Sequence, residues 1–218
     1  MTTLINFIKL IRPINLMIIV LVQCLIKFLL INHFIEQPGL NNFNFFLFIT
    51  STLLITAGGY IINDIYDEKV DKINKEDKRI INKKITSKIA LVWYILFNIV
   101  SLILITYVCY IINKLLFSLI FLYSIFALWR YSKKLKNSFL KGNLIVSWLV
   151  ALSIINLGLL DIISVIRIEN SSEIIFKIIL IYALFSFLMT LSREIIKDVE
   201  DIEGDRLSNT NTVIIKLI

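Results

Sequence analysis

The stretch Asn63-Asp64-Ile65-Tyr66-Asp67-Glu68-Lys69-Val70-Asp71 gathers oxygen donors at a spacing that suits a metal ion. On a helix turning about 100° per residue, Asn63, Asp67, Asp71 and Asp64 fall at about 0°, 40°, 80° and 100°, so four ligands share one face. A second stretch, Asp198-Val199-Glu200-Asp201-Ile202-Glu203-Gly204-Asp205, sets Asp198, Asp201 and Asp205 within an arc of about 60°, with Glu194 inside it and Arg193 and Lys197 at its edge. Gly204 is a candidate helix end, which loosens the placement of Asp205. Carboxylates stacked on one helix face repel each other, at greater cost beside hydrocarbon, and a hard divalent cation reverses that sign. Mg²⁺ takes only one or two carboxylates per ion and completes its shell with water and phosphate oxygens. Two such faces opposed are expected to hold Mg²⁺ bridging to a diphosphate, with Asn63, Asp64, Asp67, Asp71, Asp198, Asp201 and Asp205 as ligands. Arg193 and Lys197, with Lys78 or Arg79 from the loop after the first motif, are expected to meet the remaining phosphate oxygens. A single charged cluster of this kind is ordinarily a solvated face; two with matched spacing, each at the end of an apolar block, argue for a site.

The elements that position these residues follow from composition. The 218 residues are 58% hydrophobic and 18% charged, with a mean hydropathy of +0.84, whereas a soluble domain is about half apolar and a quarter charged. The apolar residues fall in blocks, Ile14–Ile31, Phe43–Ile62, Ile89–Ile112, Leu115–Trp129, Leu144–Ile166 and Ile174–Leu191. Each block is read as a membrane span, the fourth being short unless it extends to Tyr131, so the expected fold is an all-α polytopic transmembrane helix bundle. The first block lacks a cleavage signature and is expected to remain as a helix. No Pro interrupts 58–71, so the second span is free to continue into the first acidic motif. Cys24 and Cys109 lie within apolar blocks and build no disulfide framework. His33 stands alone, without partners at metal-ligand spacing, and is expected at the surface. Lys27, inside the first span, is expected to snorkel to the outer interface, and Asn98, Asn113 and Asn156 to bond between helices. No Gly-rich phosphate loop, Ser-His-Asp arrangement or nucleic-acid motif is present.

Alternating the loops between the two sides places all but four of the 23 Lys and Arg on one side, leaving Lys27, Lys114, Arg167 and Lys177. The basic side carries the N-terminus and is expected to be cytoplasmic. All but Glu36, Asp161, Glu169 and Glu173 of the 16 carboxylates lie there too, so both acidic motifs open on the cytoplasmic face. Mixed charge gathered on one side suggests a site and not topology alone.

With these residues the chain resembles the UbiA superfamily of intramembrane prenyltransferases, whose first motif is NDxxDxxxD and whose second is DxxxD or DxxDxxxD. Residues 63–71 match the first without a departure, and residues 198–205 match the second. Arg193-Glu194-Ile195-Ile196-Lys197-Asp198 and Asp71-Lys72-Ile73-Asn74 with Lys78 look most like the branch that makes digeranylgeranylglyceryl phosphate. Weaker matches are Arg12-Pro13-Ile14-Asn15, Tyr131-Ser132, Leu135-Lys136 and Gly142-Asn143. The chain departs from the family where Arg79-Ile80-Ile81-Asn82-Lys83 replaces a Pro-rich segment with a Ser-Gly step, and where Arg193 stands at the position of a Tyr.

The resemblance implies that Asp64, Asp67, Asp198 and Asp201 are catalytic, through Mg²⁺ on a polyprenyl diphosphate such as geranylgeranyl diphosphate, whose tail lies in an apolar tunnel. Ionisation gives an allylic cation that a lipophilic acceptor captures, in this branch the hydroxyl of a prenylated glycerol phosphate, giving an ether lipid. Asn63, Lys78, Arg193, Lys197, Asn15 and Lys136 are the implied substrate-binding residues, and Lys134, Lys136 or Arg12 the candidates for an acceptor phosphate. Tyr60 and Tyr66 are aromatic neighbours of the site to which no role in holding the cation is assigned. The alternatives are a menaquinone-type aromatic prenyltransferase and a non-catalytic truncated membrane protein. The implied location is the inner or plasma membrane of a prokaryote. Members of the superfamily have about nine spans against about six here, so residues 1–218 are expected to form a single prenyltransferase domain lacking the last three helices, with a partner subunit, an oligomer or lipid completing the bundle.

Overall fold

A computed structural model of the chain describes residues 2–74, 79–138, 140–162 and 170–200. Their regular elements are helices: α1 (Thr2–Leu10), α2 (Pro13–Phe34), α3 (Asn42–Asn74), α4 (Ser87–Ile111), α5 (Ser118–Lys133), α6 (Lys141–Asp161) and α7 (Asn170–Glu200). Six of them, α2 to α7, are long and apolar enough to cross a membrane, as the hydropathy blocks predict. The protein is an all-α integral membrane protein. The fourth span runs over Leu115–Lys133, through a 3-10 turn at Leu115–Phe117, and so reaches the length its apolar block alone lacked. The fifth ends at Asp161; its expected end at Ile166 lies outside the described residues.

Burial ranks the helices. Within its most apolar window α3 is 61% buried, against 44% for α6 and 22% or less for α2, α4, α5 and α7. The second span is thus the axis of the bundle, and the others turn apolar faces such as Ile181, Phe185 and Met189 of α7 outward. Ser51 and Ser101 join α3 to α4 reciprocally: their hydroxyls meet at 2.7 Å and each reaches the other's carbonyl, at 3.0 and 2.9 Å. Such small polar residues let helices approach where lipid offers no competing partner. Gly59 does the same toward α5, where a Cβ would stand 3.0 Å from a Leu128 methyl.

The largest core cluster, around Phe48, Ile105, Val108, Leu157 and Ile179, fills the half of the bundle remote from the acidic motif of 63–71. A smaller one, Leu10, Ile61, Ile81, Ile85 and Ala90, fastens α1 and the 79–86 loop to α3 and α4. Phe7 of α1 adds ring contacts with Trp93 and Phe97, at 5.0 and 6.0 Å. In that loop Asn82 takes a left-handed φ of 54°, which Asn tolerates, and Ile81 bridges to Ile85. Thr86 then caps α4 by accepting from Ile89 N.

Lys27 corrects the expectation drawn for it. It does not snorkel: residues 25–31 form a π-helix, and the Lys27 side chain is fully buried against Asp161 at 2.6 Å. Its Nζ also donates to Leu40 O at 2.6 Å, and Leu40 N donates to the other Asp161 oxygen at 2.8 Å. A charge in hydrocarbon is tolerable only when paired and fully hydrogen-bonded, and each atom of this pair has its partner. The asparagines also differ from expectation. Asn98 donates to Tyr94 O of its own helix, Asn113 forms a left-handed turn beyond α4, and Asn156 Oδ1 is buried without a hydrogen-bond partner. His33 is exposed, as expected.

Candidate active site

The first acidic motif needs a helix that outlasts the membrane. At about 1.5 Å per residue α3 is about 50 Å long against a hydrocarbon thickness of about 30 Å, so its last turns project beyond it. α3 indeed runs unbroken through Asn63, Asp64, Asp67 and Asp71. Asn63 Nδ2 donates to Asp67 Oδ2 at 2.7 Å, which shows these two on one face. Asp64 and Asp67 are largely sheltered, with side-chain exposures of 19% and 14%.

Two cations from other elements meet these carboxylates. Arg12 precedes Pro13, the first residue of α2, and holds a left-handed backbone at φ 53°. From there its guanidinium donates to Asp64 Oδ1 at 2.7 Å and lies 4.7 Å from the centre of the Tyr60 ring. The Tyr60 hydroxyl in turn accepts from Asn15 Nδ2 at 3.2 Å. Lys136, on the 3-10 turn Leu135–Asn137 between α5 and α6, donates to Asp67 Oδ2. That turn lies close against the start of α6 because residue 142 is glycine; a Cβ there would stand 3.0 Å from Leu135 O and 3.1 Å from Lys136 Cα.

The structure therefore unites Asn63, Asp64, Asp67 and Lys136, and seats Asn15 one residue removed, against Tyr60. Asp71 follows one turn along α3. Arg79 lies 3.9 Å from Glu68, while Arg193 and Lys197 lie 3.9 and 4.0 Å from Glu194, with Arg193 well exposed. Lys78, Asp201 and Asp205 lie outside the described residues, and of Asp198 only the helical backbone is described. Sequence reading placed Arg12 near the acceptor and assigned Tyr60 no role. Arg12, which touches both Asp64 and the Tyr60 ring, was signalled only by the helix start at Pro13 immediately after it.

The donor set can be tested against the implied metal. Asn63, Asp64 and Asp67 offer hard oxygen ligands, and the two carboxylates here attract a guanidinium and an ammonium, so positive charge is accommodated at this point. Two carboxylates suit the small number that Mg²⁺ employs. No group of three or more acidic, His or Cys side chains converges among the described residues. The first motif thus has the donors for one half of a metal site; the other half expected from the sequence, Asp198, Asp201 and Asp205, lies beyond the described side chains.

Comparison with known proteins agrees with this picture. A family model described as the UbiA prenyltransferase family matches residues 24–217. The digeranylgeranylglyceryl phosphate synthase of Sulfolobus acidocaldarius is 38% identical over 173 residues, which cover 79% of this chain and 57% of that protein. The synthase of the same name from Methanothermobacter thermautotrophicus is 28% identical over 209 residues, covering 95% and 65%. A solved structure described as "Structural and mechanistic insights into the biosynthesis of Digeranylgeranylglyceryl phosphate synthase in membranes" superposes with a TM-score of 0.70 at 27% identity, covering 99% of this chain and 70% of that one. The chain spans little more than half the length of several of these relatives.

Proposed function

The chain belongs to the UbiA prenyltransferase family, and from that premise we propose that it transfers a polyprenyl group from its diphosphate to the hydroxyl of a prenylated glycerol phosphate, forming an ether lipid. The observation that supports this most is that Asn63 Nδ2 donates to both Asp64 and Asp67, at 3.5 and 2.7 Å, so that the two carboxylates converge near the end of α3. The relatives named as digeranylgeranylglyceryl phosphate synthases favour the glycerol phosphate acceptor over an aromatic one.

Asn63, Asp64, Asp67 and Asp71, with Asp198, Asp201 and Asp205, are the residues that would hold Mg²⁺. Bound there, the ion would neutralise charge growing on the leaving diphosphate. The chain's own residues do the rest. α3 fixes the carboxylates rigidly at the membrane boundary, and Arg12 and Lys136 stand within reach of phosphate oxygens. Asn15 steadies Tyr60, which backs Arg12. The apolar walls of the bundle keep water from the reacting carbon, so that the acceptor hydroxyl captures the cation before hydrolysis does. With the basic loops cytoplasmic, the site opens to the cytoplasm from the plasma membrane of a prokaryote.

The test is product identity. Membranes containing the chain, given geranylgeranyl diphosphate with a geranylgeranylglycerol phosphate and a quinone-ring precursor together, are expected to yield the diether by mass spectrometry. Prenylation of the ring alone would contradict the acceptor assignment.

A further inference from the structure

Asp64 and Asp67, the carboxylates assigned above to the metal, are each bound by a cation from elsewhere in the chain, Arg12 and Lys136. We propose that these two side chains are exchangeable counter-ions: they neutralise Asp64 and Asp67 in the metal-free protein, yield the carboxylates to a divalent cation, and then bind the diphosphate that arrives with it. The inference rests on the reading of the acidic motif as a metal and diphosphate site.

Three observations carry it. The balance is charge for charge, two carboxylates against two monovalent cations, so one divalent ion replaces both without leaving excess charge in a sheltered place. The exposures are asymmetric: Asp64 and Asp67 are 19% and 14% exposed, but Arg12 and Lys136 are 40% and 34% exposed. The acids are therefore fixed while the bases border open space, and ion pairs with one partner this exposed are weak enough to be displaced. Finally, both cations sit on long stems that start outside α3, Arg12 from its left-handed backbone just before α2, Lys136 from the tight turn against Gly142. Each can swing from a carboxylate to a nearby phosphate oxygen without backbone movement, and both groups recognise either anion.

The exchange makes an unusual prediction of sign: deleting a basic residue beside the site tightens metal binding when no diphosphate is present. With the full chain purified in detergent and Mn²⁺ as the probe, followed by electron paramagnetic resonance, Arg12→Met and Lys136→Met are each expected to lower the Mn²⁺ dissociation constant by about threefold or more. A second measurement needs no variant. In the wild-type chain, acetylation of Lys136, followed by mass spectrometry relative to Lys133, is expected to speed up when Mg²⁺ is added and to slow again when pyrophosphate follows. Unchanged or weaker Mn²⁺ binding in both folded variants, or a Lys136 rate indifferent to Mg²⁺, overturns the exchange while leaving the metal site intact. A wild-type chain that binds no Mn²⁺ overturns the reading of the acidic site and the exchange with it.

Discussion

Lys27 and Asp161 show what a single pair of residues does in a chain with so little polar material. They lie 134 positions apart, yet both are completely buried and share Leu40 between them, through its carbonyl and its amide. The pair ties α2, the 35–41 loop and the end of α6 together at the end of the bundle opposite the acidic motif. Removing one partner leaves an uncompensated charge in a place without water. Lys27→Met is therefore expected to destabilise the protein by about 3–5 kcal/mol, and the double variant Lys27→Met with Asp161→Leu to recover most of that loss. Thermal unfolding in detergent measures both; equal losses in the single and double variants would mean that the pairing itself is not what matters. Nothing in the sequence around Lys27 discloses this role, because snorkelling and pairing differ only in whether a distant partner arrives. Arg12 and Asp64, separated by 52 positions, likewise meet only through packing, the helix start at Pro13 being the one local signal beside the arginine.

At the scale of elements, the long helices were readable. An apolar run without Pro continuing into Asn63 to Asp71 is sufficient to expect an unbroken α3, and the observed helix fulfils it. The acidic face followed from helical periodicity for the same reason, since 3.6 residues per turn fix which side chains align. What periodicity does not encode is the π-helix at 25–31 that turns Lys27 inward, or the 3-10 turn that delivers Lys136. The latter depends on Gly142, where a side chain would collide with backbone and not with a yielding side chain. Gly142→Val is expected to push the turn away from α6, separate Lys136 from Asp67 and lower prenyl transfer by about tenfold or more, as misplacement of a positioned group does, while the protein remains folded in size-exclusion chromatography. At the α3–α4 contact, Ser51→Ala with Ser101→Ala is expected to cost about 0.5–2 kcal/mol in the same unfolding assay. A loss no greater than scatter would show that packing alone holds these helices.

For the whole molecule, the six candidate spans among the described residues and the segregation of basic residues predict one orientation, with the basic side cytoplasmic. In a chain whose Cys24 and Cys109 are replaced by alanine, a cysteine at Asn82 is expected to react with a membrane-impermeant maleimide only from the cytoplasmic side, and one at Glu36 only from the outside. Reversed labelling would move the acidic site to the other face of the membrane. Fold class, span number and the first acidic face were legible because each rests on hydropathy or helical period along a continuous segment. The cations that close on that face were not, because their places depend on how α1, α5 and α6 pack around α3.

If the carboxylates on α3 hold the metal through which prenyl transfer proceeds, incorporation of a radiolabelled geranylgeranyl group into lipid in membranes depends on both. Wild-type chain with Mg²⁺ is expected to form product, EDTA to abolish it, and Asp64→Asn to reduce it by about a hundredfold or more at equal amounts of inserted protein. Asp64→Asn membranes that transfer the label at the wild-type rate would show that prenyl transfer does not depend on a metal held by this carboxylate.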